Sequence, residues 1–219
     1  MAATVALIDY GSGNLRSAEK ALARAALQSS SGHEIVVTAD PSQVAAAERI
    51  VLPGVGAFAD CMCGVSSMPG MIAVLEDKVL KRGTPFLGIC VGMQLLADVG
   101  REHGDHKGLG WIPGDVVRID PKPNGPGEPL KVPHMGWNTL CIRQPHGLMS
   151  GMADGTDVYF VHSYVMRPKN SGHVLATTDY GGPLAAIVGR DNIAGTQFHP
   201  EKSQAVGLAF LQRFLKWRP

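Results

Sequence analysis

The chain predicts an α/β protein: an open, mostly parallel twisted sheet with helices on both faces, followed by an antiparallel β-rich second half. Three observations carry this. Over the first hundred residues, short apolar runs alternate with segments of helical period, the pattern of parallel strands covered by helices. From Gly108 to Gln197 the chain instead offers short β-like runs separated by Gly, Pro, Asn and Asp turns. A length of 219 residues suits one well-buried domain, taken as residues 1–219, and is small for two.

Val5 to Ile8 reads as the first strand, and Leu15 to Leu27 as a helix with Leu15, Ala18, Leu22, Ala25 and Ala26 on one side. Ile35 to Thr38 is the next strand, and Pro41 to Ala47 a short helix with proline in its first turn. Ile50 to Leu52 forms another strand. Met71 to Arg82 is a helix with a stripe at Ile72, Leu75 and Val79, stopped by Gly83. Pro85 to Ile89 is a strand leading to Cys90, and Met93 to Leu96 continues as helix. Val116–Ile119, Val158–Val161 and Ala185–Val188 are the clearest later strands. Pro121 to Gly127 is too rich in Pro and Gly for regular structure and reads as a mobile surface loop. Ser203 suits the N-cap of a closing helix with Val206, Phe210, Phe214 and Trp217 spaced for burial. The chain has no internal repeat.

Gly88-Ile89-Cys90-Val91-Gly92 stands between a strand and a helix, with a nucleophile at its apex. This is G-x-S-x-G elbow logic with sulfur in place of oxygen. Glycines on both sides relieve the sterics of so sharp a turn. The first amides of the following helix face the apex and favour a thiolate. Standing alone, a cysteine after an apolar strand is equally a small buried hydrophobe. Gly195-Thr196-Gln197-Phe198-His199-Pro200-Glu201 shifts the balance. Proline pushes His199 into extended backbone, where His199 and Glu201 would share a face. A carboxylate beside an imidazole fixes its tautomer and raises its basicity. Cysteine, histidine and an orienting acid are what activation of a sulfur nucleophile needs. Whether His199 rests neutral or as the cation of an ion pair with Cys90 stays open. Val51 to Phe58 is a strand that runs into a Pro-Gly-x-Gly loop. Such a loop can be a plain turn, or can present main-chain N–H groups to a tetrahedral oxyanion together with the amide of Val91.

With these segments the chain resembles the class I (triad-type) glutamine amidotransferases, over essentially its whole length. The elbow and the His-Pro-Glu segment are common to that class. Ile8-Asp9-Tyr10-Gly11-Ser12-Gly13-Asn14-Leu15 and Pro133-His134-Met135-Gly136-Trp137-Asn138 narrow the resemblance to glutaminase subunits of imidazole glycerol phosphate synthase. Tyr159-Phe160-Val161-His162-Ser163-Tyr164 fits the same pattern. The resemblance implies that Cys90 attacks the side-chain amide of L-glutamine, forming a thioester as ammonia leaves. It implies that His199 shuttles protons and Glu201 holds His199. Gly54, Val55 and Val91 would supply oxyanion donors. Gly56, Gln94, Ser163 and Tyr164 would position glutamine, and Glu102 would take its α-amino group, although the family's serine two positions earlier is Gly100 here. Ammonia would pass to a cyclase subunit, the partner in a heterodimer, which makes imidazole glycerol phosphate and an aminoimidazole carboxamide ribotide in histidine biosynthesis. Asn14, Met135, Gly136, Trp137, Tyr159 and Lys202 match positions at or near that interface. Other readings remain: a glutaminase serving another synthase, a stand-alone thiol amidohydrolase, or a non-catalytic interaction protein that keeps the fold.

Composition narrows the rest. A net charge of +1 offers no electrostatic footprint for nucleic acid or an anionic membrane. No apolar run approaches the roughly 20 residues that span a bilayer. Met1 to Thr4 leads straight into a strand without a basic leader pattern, so a cytoplasmic location is expected. Cys61 and Cys63 lack a second ligand pair, and His103 and His106 lack neighbours to complete four ligands, so neither metal nor cofactor is expected. Cys61 and Cys63 read as packing residues near the oxyanion loop or as exposed thiols, and Cys141 lies in a strand-like run. Gly11-Ser12-Gly13 lacks the third glycine of a dinucleotide fingerprint, because position 16 is Arg16, and reads as a tight strand–helix turn.

Overall fold

The structure, a computed structural model, describes residues 3–122 and 130–219. In chain order it runs β1 (Thr4–Ile8), α1 (Leu15–Ser29), β2 (Glu34–Thr38), α2 (Pro41–Ala46), β3 (Arg49–Leu52) and α3 (Phe58–Ser67). Then come α4 (Met71–Leu75), a π-helical segment (Glu76–Lys81), β4 (Phe86–Ile89) and α5 (Val91–Gln94). The second half holds β5 (Val99–Gly100), β6 (His106–Lys107), β7 (Gly114–Arg118), β8 (His134–Thr139), β9 (Cys141–Ile142), β10 (Asp157–His162) and β11 (Tyr164–Pro168). It closes with β12 (Val174–Asp179), β13 (Pro183–Arg190), β14 (Ile193–Thr196) and α6 (Gln204–Lys216).

One eight-stranded sheet, in the order β2-β1-β3-β4-β14-β13-β12-β9, forms the frame. Its first five strands are parallel, and β13, β12 and β9 complete it antiparallel. The apolar runs explain the centre: every residue of β3, β4 and β14 is buried, as expected of parallel strands covered on both faces. α1 packs against α6, while α3 and α2 pack against α4. Ala18, Leu22, Ala25 and Ala26 of α1 are buried, as are Phe210 and Phe214 of α6. β8 pairs with β10 in a separate ribbon, and β11, β7, β5 and β6 make a small third sheet. Seven predicted strands and the α1, α2 and α6 helices thus stand where the periodicity placed them, within a residue or two. Most of the Pro121–Gly127 loop lies outside the described residues.

Four local features differ from the sequence expectation. α3 was not assigned from the sequence; its buried face, Phe58, Cys61 and Val65, follows helical spacing, but small and polar residues between them hide the period. The Met71–Arg82 helix changes to π geometry after Leu75, and its buried row is Met71, Leu75 and Val79, with Ile72 only half-buried. A strict i, i+4, i+8 row drifts around an α-helix, and the wider π turn brings it back to one face. The elbow helix has only four residues. Ser203 occupies the N-cap position of α6 without a side-chain cap; its hydroxyl is committed elsewhere.

The parallel register puts the ends of β3, β4 and β14 side by side, and the elbow sits on them. Cys90 N–H donates to Thr196 O at 2.7 Å. Cys90 itself takes a positive φ of 55° with ψ −111°, outside the ordinary left-handed helical region. The flanking glycines serve close approach rather than positive φ: a Cβ on Gly88 would lie 2.4 Å from Gly92 O, and one on Gly92 would lie 1.9 Å from Leu52 O. Gly92→Ala must therefore push α5 off β3. We expect it to cost about 3 kcal/mol in urea unfolding; a loss below about 1 kcal/mol would mean the elbow packs more loosely than this.

Candidate active site

Cys90 and His199 line one cleft of about 320 Å³, together with Val55, Gly56, Val91, Gln94, Glu102, Ser163, Tyr164 and Lys202. The far end of the chain thus meets the nucleophile elbow, as the sequence demanded. His199 is 2% exposed, and its Nδ1 lies 2.8 Å from Glu201 Oε1. The contact arises differently from the expectation. His199 is extended, φ −97° and ψ 102°, but Pro200–Lys202 is a 3-10 turn rather than a continued strand. The turn, not the two-residue strand repeat, swings Glu201 back to the ring.

Ser203, which sequence reasoning took for a helix cap, locks this turn. Its hydroxyl donates to His199 O at 2.7 Å and accepts from Tyr159 N–H at 3.0 Å. His199 N–H in turn donates to Tyr159 O at 3.0 Å. Nδ1 being committed to Glu201, Nε2 is the ring atom left free to meet Cys90; it is buried and has no hydrogen-bond partner among the described residues. Burial alone would depress the imidazole, but the Cys90 and Glu201 side chains outweigh it and raise His199 to about 10. The arrangement favours an imidazolium at neutral pH, with its charge shared between a carboxylate and a sulfur.

The oxyanion loop departs from expectation. Gly54, Val55 and Val91 were read as main-chain donors. Here Val91 N–H already donates to Gly54 O at 3.3 Å, so Gly54 presents an acceptor where a donor was expected. The loop is held on both sides of that peptide. Tyr10 OH donates to Pro53 O at 2.7 Å. Ser12 Oγ donates to Val55 O, and Cys61 Sγ lies 3.4 Å from the same oxygen. Burial pushes both the Tyr10 hydroxyl and the Cys61 thiol above their ordinary ranges, so both remain protonated donors. Cys61 is buried and Cys63 exposed, which divides the two readings given to that pair.

Among the residues expected to position glutamine, Gln94 is 3% exposed and its Nε2 donates to Tyr164 O and to Gln197 Oε1, both at 3.0 Å. Glu102 accepts Phe58 N–H at 2.8 Å, so the first turn of α3 orients it toward the cleft. Gly100 is small because the Phe58 ring fills the space: an added Cβ would lie 2.4 Å from it. Gln197 was not assigned a role from sequence, yet its Nε2 reaches Cys90 Sγ at 3.7 Å.

The residues matched to a partner face divide. Met135 and Trp137 are exposed large apolar side chains on β8, at 62% and 49%. Trp137 meets the Tyr159 ring edge-on at 5.9 Å, and Lys202 Nζ lies 5.7 Å over that ring. Gly136 lies between them at φ 129°, and Asn14 is exposed at the start of α1. Below this surface, His134 and His162 are buried and hydrogen-bonded to each other at 3.0 Å. Desolvation holds both at about 4.

These shifts set opposite pH limbs. His134 and His162 prefer to be neutral in the folded state, so stability falls as pH drops from 6.5 through about 4. His199 prefers to be charged, so its contribution is complete below 6.5 and is lost as pH rises through about 10. Urea unfolding across pH should show both limbs, with the acid limb shallower in His162→Gln and the alkaline limb shallower in Glu201→Gln. A flat wild-type profile between pH 4 and 6.5 would contradict the buried neutral pair.

Comparison with known proteins agrees with this geometry. Residues 6–217 match the family described as glutamine amidotransferase class-I. The chain is 57% identical over 216 residues to the imidazole glycerol phosphate synthase subunit HisH of Rhodospirillum rubrum, covering 98% of this chain and 99% of the relative. It is 56% identical over 218 residues to the protein of the same name from Agrobacterium fabrum, with 98% and 99% covered. Among solved structures, a glutamine amidotransferase superposes with a TM-score of 0.68 at 20% identity, covering 96% of this chain and 98% of the other. PurLQS from Thermotoga maritima gives 0.67 at 20%, with 99% of each chain covered; at these identities the likeness is one of fold. The chain belongs to the class-I glutamine amidotransferase family and, within it, to the imidazole glycerol phosphate synthase subunits HisH.

Proposed function

We propose that this chain is the glutaminase subunit of imidazole glycerol phosphate synthase, acting as one unit over residues 1–219 in the cytoplasm. It would hydrolyse L-glutamine and deliver ammonia to a cyclase subunit, in a heterodimer that makes imidazole glycerol phosphate and aminoimidazole carboxamide ribotide. The observation that carries the reading is a cysteine in strained, positive-φ backbone at a strand–helix apex, sharing a cleft with a histidine whose far nitrogen is held by a carboxylate.

Cys90 attacks the side-chain amide carbon of glutamine as a thiolate. His199, protonated in the resting pair, gives its proton to the departing nitrogen, and ammonia leaves as the thioester forms. Neutral His199 then takes a proton from water, which attacks the thioester; glutamate departs and the thiolate–imidazolium pair returns. Glu201 keeps Nδ1 occupied throughout, so Nε2 does all the proton transfer. Both tetrahedral intermediates need main-chain donors, and the Gly54–Val55 peptide must rotate to supply one and to free Val91 N–H. Docking of the cyclase on the Met135–Trp137 face is the event that would favour this rotation. The closed loop supports a partner-dependent enzyme over a stand-alone amidohydrolase.

In the reconstituted complex, Cys90→Ser should lower glutamine-dependent turnover by at least about a thousandfold, while added ammonia still supports the cyclase reaction. Loss of both would sink the assignment. Trp137→Ala should weaken co-elution with the cyclase by about tenfold or more. Unchanged affinity would move the interface elsewhere.

A further inference from the structure

Beyond the triad, one buried side chain touches the reacting atom. We propose that Gln197 is a catalytic residue whose side-chain amide donates a hydrogen bond to the Cys90 sulfur and so holds it as the attacking thiolate. The proposal rests on the reading of Cys90 as nucleophile.

Gln197 is 0% exposed and follows directly on β14, where its N–H donates to Ala186 O at 2.8 Å. It takes no part in the wall of the cleft and reaches Sγ, at 3.7 Å, from behind. An amide can point either its oxygen or its nitrogen at a sulfur, and the neighbours decide which. Tyr164 C=O can only accept, so Gln94 must aim its NH2 there. The same nitrogen lies 3.0 Å from the Gln197 side chain and needs an acceptor, which turns the Gln197 oxygen toward Gln94 and its NH2 toward Cys90.

The carbonyl that starts this chain is anchored in turn. His162 Nδ1 lies 2.9 Å from Tyr164 O, His162 Nε2 lies 3.0 Å from His134 Nδ1, and His134 Nε2 lies 3.2 Å from Asn138 Nδ2. With Asn138 donating to both His134 and Asp179 O, each imidazole is neutral with its proton on Nδ1. Proton direction is therefore set from β8 to Tyr164, and oppositely from Gln94 to the sulfur. The outcome is a sulfur that must accept. A thiolate accepts N–H bonds far better than a thiol, and a donor to a charged acceptor is stronger than one to a neutral atom.

Other groups also act near Cys90: His199 with Glu201 from the closing turn, His162 of β10 lining the same cleft, and Tyr10 and Cys61 from behind the Gly54–Val55 loop. The test must separate Gln197 from these. Iodoacetamide labelling of Cys90, followed by peptide mass across pH, reads thiolate availability without any turnover. Gln197→Met should slow labelling at pH 7 by about tenfold and converge with wild type at alkaline pH. In complex with the cyclase, kcat for glutamine hydrolysis should fall by a similar factor with KM unchanged, because Gln197 does not line the cleft. Should Gln197→Met melt out in a thermal scan, Gln197→Glu keeps the shape and the contact to Gln94 but turns an oxygen to the sulfur, and should slow neutral labelling at least as much. A folded variant of either kind that labels within about twofold of wild type at every pH overturns the proposal. Faster labelling of Cys61, Cys63 or Cys141 than of Cys90 in the wild type overturns the nucleophile assignment itself, and this inference with it.

Discussion

The positive-φ backbone at Cys90 is the constraint around which the rest is arranged. A non-glycine residue pays a steric penalty there, and it persists only where the surroundings over-determine it. Here they do: β4 is paired on both edges, Cys90 N–H is bound to Thr196 O, and α5 begins at the next residue. Glycines at 88 and 92 let the strand and helix close to contact, and Gly54 allows the neighbouring loop to approach the same point: an added Cβ there would lie 2.7 Å from Gly92 N. The central parallel strands, buried along their length under helices on both faces, carry this single projection at their ends.

The second arm of the site is tied to a surface. Ser203 and the Tyr159 main chain form a small lattice of hydrogen bonds around His199, so the imidazole is fixed through the strand that carries the Tyr159 ring. That ring lies between Trp137 and Lys202 on the exposed side. Anything pressing on those three side chains acts one residue away from the triad. Coupling between the exposed Trp137–Tyr159 face and His199 needs no long pathway in this architecture; the two are joined through main-chain hydrogen bonds.

Much of this was legible beforehand. Period and glycine placement located the parallel strands, and the Gly-x-Cys-x-Gly and His-Pro-Glu segments located both halves of the site. What stayed hidden depends on where polar atoms find partners in three dimensions. Ser203 has the right type and place for a cap, but the His199 carbonyl and the Tyr159 amide compete for its hydroxyl and win. Glu201 reaches His199 by a tight turn that the proline permits and the strand repeat does not describe. α3 escaped notice because Gly64 and the serines dilute its period, and a Cβ at Gly64 would lie 2.7 Å from the Tyr10 ring. The orientation of one peptide, Gly54–Val55, leaves no trace in residue types at all. Gln197 could have been flagged: two positions before His199, it is the polar residue an alternating strand end would aim the same way.

That single peptide also bears on chemical intervention. A covalent warhead that passes through an anionic adduct at Cys90 meets the Gly54 carbonyl oxygen in this conformation and gains no stabilisation from it. A molecule bringing its own N–H toward that oxygen would find the opposite preference. The orientation of one amide plane therefore selects which class of ligand the cleft favours.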